Sequence, residues 1–301
     1  MAISPRLIKR RIRSISNTRK ITRAMELVAA AKMRKAVQMA TNSRDYSRAA
    51  EAIVRDIRLH IGTMAHPLLT GRVSPKNSMV IVVGSNRGLC GGFNTHVLKK
   101  AIEFIRARTE SHLRIVTVGR RTEASMKRVG FPIDAAFESM ADAPHFDKTR
   151  PISLLAYNEF MKGNIDRVFL AFTDFKSALT QVPNIKQILP IIPEGELKQN
   201  GEASVQEEET KPNEIDSNFL FEPSARAILD EMLPRLIEVQ MYQALLESSA
   251  SEHASRMMAM RNASDNASDI VKELTFSFNQ ARQASITREI SEISAGKAAI
   301  E

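Results

Sequence analysis

Apolar and small residues recur at Ile8, Ile12, Ile15, Thr22, Met25, Ala29, Ala36 and Met39, with polar and basic residues between them. The gaps are 4, 3, 7, 3, 4, 7 and 3, the heptad spacing that lays one narrow stripe along a helix. The pattern predicts a single helix over residues 3–58. Pro5 falls in its first turn, where the missing N–H costs no hydrogen bond. No Gly follows before Gly62. At about 1.5 Å per residue such a helix spans roughly 84 Å, too long for the interior of one compact domain. A second stripe, at Met257, Ser264, Val271, Leu274, Phe278 and Ala281, marks the other end of the chain. A helix is predicted there from an N-cap at Ser224 to the terminus, with Pro234 expected to kink or offset its first turns.

Between the two helices the pattern changes. Gly62, Pro67, Gly71, Pro75 and Asn77 read as a linker or turn. Short apolar runs at 79–83, 114–118, 167–172 and 185–192 read as strands. Amphipathic stretches at 94–108, 121–129 and 152–162 read as helices. Alternating strands and helices predict a small parallel or mixed α/β sheet with Rossmann-like winding. The expected fold is therefore an antiparallel two-helix coiled coil, built from the N- and C-terminal segments, with a Rossmann-like α/β domain inserted between them. The expected divisions are 1–75 (helix and linker), 76–193 (α/β domain), 194–217 (acidic loop) and 218–301 (C-terminal helix). The loop carries Glu194, Glu196, Glu202, Glu207, Glu208, Glu209, Glu214 and Asp216, a composition that favours solvation over packing.

Charge sharpens the picture. The formal charge of +9 comes from 43 Lys and Arg against 34 Asp and Glu. Residues 1–35 hold 11 basic residues and the single acid Glu26, so this segment accounts for all of the excess. It calls for an acidic partner: nucleic acid, anionic lipid or an acidic protein surface. An Arg-rich, acid-poor amphipathic start also resembles an organelle targeting segment, but the periodicity continues past the usual cleavage region. The single Cys excludes a disulfide framework and a Cys-based zinc site. No apolar run approaches the roughly 18–20 residues needed to span a bilayer.

Candidate chemistry is sparse. The first strand runs into Gly84-Ser85-Asn86-Arg87-Gly88-Leu89-Cys90-Gly91-Gly92-Phe93-Asn94. Glycine-rich strand-to-helix turns often cradle phosphate, but this spacing is neither G-x-G-x-x-G nor a P-loop. The second strand ends at Gly119-Arg120, where a ribose would want an acid. A tight turn in a Rossmann-like lobe without a ligand is the simpler reading. The six His residues form no i, i+4 pair or ligand cluster, so no metal or cofactor is expected. Cys90 reads as a buried structural thiol. No nucleophile or paired-carboxylate motif stands where a pocket could form. Two segments mix small residues with hydrogen-bonding groups, residues 22–35 and 282–290. Each could pair with the other or contact a surrounding protein. Three readings follow from the residues: a mechanical coiled-coil part, a nucleotide-binding enzyme on the lobe, or a basic adaptor for nucleic acid. The last should show a steep salt dependence.

Three motifs, in order along the chain, carry a resemblance. They are IKRRIRSISNTRKITRAMELVAAAKMRK (8–35), GSNRGLCGGFN (84–94) and ARQASITREISEISAG (281–296). In them and over nearly its whole length the sequence resembles the gamma subunits of F-type ATP synthases, of the bacterial type. The resemblance implies a central rotor shaft made of the two terminal helices. Ion-driven rotation of a membrane ring would drive the surrounding alpha and beta subunits through ATP synthesis or hydrolysis. The chain itself would be non-catalytic, with no nucleotide site, cofactor or metal, and nucleic acid would not be a partner.

The same resemblance implies contacts. Met25 and the basic stretch around it match the shaft near lever-like beta loops. Arg282, Gln283, Thr287 and Glu289 match polar catch contacts with beta. Phe219, Phe221 and Glu222 match the foot that meets the rotor c-ring and the epsilon subunit, which the lobe would also hold. The implied location is peripheral, on the cytoplasmic side of the cell inner membrane, and the start at Met1-Ala2-Ile3 leaves no room for a transit peptide. Lys297 stands where the family usually has Ala, and Glu301 extends the terminus. The loop 194–217 is longer and more acidic than in many bacterial members. Without a Cys pair, the thiol-regulated chloroplast variant is excluded.

Overall fold

A computed structural model describes residues 5–61, 66–72, 75–108, 112–138, 145–191 and 224–298. The elements are α1 (Pro5–Ile61), α2 (Pro67–Thr70), β1 (Asn77–Val83), α3 (Phe93–Arg106), β2 (His112–Val118), α4 (Arg120–Val129), β3 (Ala135–Phe137), α5 (Phe146–Met161), β4 (Arg167–Phe175), β5 (Gln181–Leu189) and α6 (Ala225–Ala298). The sequence reading of two long terminal helices around an α/β segment holds. Several details differ. A short β3 joins the sheet, α2 lies within the expected linker, and α6 runs through Pro234. The acidic loop 194–217 and Phe219, Phe221 and Glu222 lie outside the described residues.

The chain divides into two compact units, Met1–Ala30 with Arg256–Glu301, and Ala31–Ser255. In the first, the start of α1 is covered by the end of α6. Ile8 and Ala29 are buried on the α1 stripe, and Ile12, Ile15, Thr22 and Met25 are half-buried. On α6 the covered positions include Met260, Ser264, Ala267, Val271, Leu274, Phe278, Ala281 and Ser285. They step by alternating fours and threes, so the heptad seam is continuous. Arg19 Nη1 donates to Ser268 Oγ at 3.4 Å. Arg19, Lys20 and Arg23 line one side of a shallow groove, and Ser264, Asp265 and Ser268 the other.

The second unit is organised by a five-stranded sheet in the order β3-β2-β1-β4-β5. β1 pairs in parallel with β2 and with β4, and β2 pairs in parallel with β3. β5 runs antiparallel to β4 at the edge. Pro183 sits in β5, and an edge strand tolerates a residue that cannot donate to the ladder. Alternate residues feed two cores. Val80, Val82, Ile115, Phe169 and Ala171 pack under α3 and α4 with Leu98, Ala101, Ile105 and Met126. Met79, Ile81, Val83, Val116, Leu170 and Phe172 pack on the other face with Ile152 and Phe160 of α5 and Leu233, Ile237, Met241 and Leu245 of α6. The two buried faces explain why the central strands read as continuous apolar runs rather than alternating ones.

The segment before β1 is a clamp rather than a free linker. His66 caps α2, its Nδ1 accepting from Leu68 N at 3.2 Å, while its Nε2 lies 3.0 Å from Asp230 Oδ1 on α6. Ile191 N donates to Leu68 O at 2.7 Å. Asp166, nearly buried, accepts from the backbone N–H groups of Lys76 (2.8 Å) and Asn77 (2.9 Å) and pairs with Arg72. Burial alone would raise the Asp166 pKa. The Arg72 guanidinium and the two backbone donors outweigh it and hold the carboxyl below its ordinary value.

Candidate functional site

The glycine-rich turn is a self-satisfied corner. Asn94 Oδ1 accepts from Ser85 N at 3.0 Å, and Asn94 Nδ2 donates to Ser85 Oγ at 2.7 Å. Ser85 Oγ in turn donates to Arg87 O at 2.6 Å. The backbone donor that a phosphate loop would offer to its ligand is thus taken up at Ser85. The glycine at the second strand end has a steric origin: Gly119 has φ +104°, and a Cβ there would lie 2.6 Å from Gly84 O. Cys90 is buried, as read from the sequence. It lies 3.3 Å from Asn94 Nδ2, and its carbonyl accepts from Ser255 Oγ at 2.7 Å, which ties the turn to α6.

The other candidate surface lies on the two-helix unit. Met25 sits half-buried on the seam beside an ion pair of exposed Arg23 with half-buried Glu26 at 2.7 Å. Arg282, Gln283, Thr287 and Glu289 are all exposed. Thr287 Oγ1 donates to Gln283 O at 3.0 Å, and Ser285 Oγ donates to Glu289 Oε1 at 3.4 Å. Arg282 and Gln283 are exposed on the outer face of α6. The structure also reveals a feature that the single-stripe reading missed. Ile286, Ile290 and Ile293 are exposed at 48%, 59% and 74%. Ile21 and Val28 on α1 are exposed at 61% and 57%. On each helix these positions fall off the seam, at steps of 4 and 3 on α6 and of 7 on α1, and the described residues leave them exposed.

The ATP synthase family profile matches residues 4–300. An ATP synthase gamma chain of Heliobacterium modesticaldum is 42% identical over 97% of this chain and 98% of its own length. The chain belongs to the ATP synthase gamma chain family. The gamma chain of Pelotomaculum thermopropionicum is 39% identical over 99% of both chains. Among solved structures, a chain of the Euglena gracilis mitochondrial ATP synthase OSCP/F1/c-ring assembly superposes with a TM-score of 0.64 at 17% identity, covering 98% of this chain and 94% of that one. A chain of the Tetrahymena thermophila mitochondrial ATP synthase central stalk and c-ring gives 0.59 at 22% identity, covering 81% and 99%. At these identities the likeness shows that this chain shares the fold of those chains. Among the described residues of this family member, no helix is long and apolar enough to cross a membrane.

Proposed function

We propose that this chain is the central rotor shaft of an F-type ATP synthase, a non-catalytic subunit that couples rotation of a membrane c-ring to the nucleotide sites of surrounding alpha and beta subunits. The observation that carries the reading is the set of exposed apolar positions on both helices of the two-helix unit in a gamma-chain family member. A helix pair with a closed seam and exposed Ile21, Val28, Ile286, Ile290 and Ile293 wants a surrounding surface. Its outward polar groups suit a surface that is left and re-met at each step of rotation. Exposed charged and hydroxyl contacts exchange partners readily, whereas one deep apolar lock would not. Small seam residues such as Ala29 keep the shaft thin. No Pro or Gly follows Pro5 within α1, which keeps its hydrogen-bond ladder whole and the rod stiff.

In this reading Met25, Arg282, Gln283, Thr287 and Glu289 contact the alpha/beta ring. Phe219, Phe221 and Glu222 meet the c-ring and epsilon. The α/β segment 76–193 forms the lobe that holds epsilon. The complex would place this chain peripherally on the cytoplasmic side of the inner membrane. The test is reconstitution of ATPase activity from purified alpha and beta subunits with and without this chain. Activity and a defined large complex should form only with it. A chain that stays apart from both subunits would overturn the reading.

A further inference from the structure

We draw no further inference here: the strongest candidate, the exposed apolar knob that Leu89 makes in the glycine-rich turn between β1 and α3 (φ 61°, 64% exposed), is a single side chain at the corner already described, and nothing in the structure shows what covers it.

Discussion

Replacing Asp166 with Ala should cost the second unit about 3 kcal/mol. The carboxylate is 8% exposed and accepts two backbone N–H groups, at 2.8 and 2.9 Å, besides pairing with Arg72. A hydrogen bond to a charged group contributes about 1.5–3 kcal/mol, so the two backbone bonds alone set the scale at about 3 kcal/mol. Arg72 is 39% exposed and can re-solvate, so its share is small. Asp166→Asn keeps one acceptor of similar shape and should lose about half as much. Urea unfolding of the full chain, followed by circular dichroism, measures both differences. Acid adds a signed test. The folded-state pKa is depressed, so this stability is present above the unfolded value of about 3.9 and is lost as pH falls through the lower folded value. The gap between wild type and Asp166→Asn should therefore shrink from neutral pH toward pH values below about 4. An Asp166→Ala variant within about 0.5 kcal/mol of wild type, or a gap that does not change with acid, would refute the clamp argument.

Two further outcomes follow from the geometry. Gly119→Ala combines a positive φ with a clash against Gly84 O and should destabilise by about 2–4 kcal/mol. Gly130→Ala, with a similar φ of +93° but open space around it, should cost only about 1–2 kcal/mol in thermal or urea unfolding. Gln283→Ala with Thr287→Ala should lower the coupling of rotation to ATP turnover in the reconstituted complex while leaving Tm within a few degrees. An equal loss of stability and activity would mean that the two side chains only support the helix.

Much of the fold was legible because its signals are local. The heptad seams, the apolar runs of β1, β2 and β4, and the glycine-rich corner each declare themselves within a few turns of chain. What stayed hidden depends on neighbours far along the sequence. β3 is only Ala135, Ala136 and Phe137, too short and too small to carry an alternation. α5 begins six residues before Ile152 because Thr149 Oγ1 bonds Phe146 O and Pro151 falls early in the helix, where its ring costs one bond rather than a break. Of the candidate surface, the polar positions 282, 283, 287 and 289 were visible through the resemblance. The exposed apolar positions off the seam were not, because exposure can be known only once the seam has a partner.

The middle of α6 shows why composition misleads here. Residues 236–241 and 248–254 are buried on every side, although Glu238, Gln240, Ser248, Ser249, Ser251, Glu252 and His253 lie among them. A helix buried all round is normally apolar all round. This one substitutes pairing and small size for apolarity. Glu238 is held by Arg150 (3.1 Å) and Arg235 (3.0 Å), and Ser251 donates to Thr173 O at 3.2 Å. Ser and Ala at 248–251 let neighbouring backbones approach closely. Farther along, the same helix reverts to a single covered stripe. Its two halves thus obey different rules. The first is fixed by a core on the sheet and by paired polar groups, which resist slippage because any shift in register leaves a buried charge without its partner. The second has one narrow seam and an exposed face. The proposed shaft role would call on both properties: a stretch held in its seat by packing, and a stretch whose outer face is free to meet successive partners.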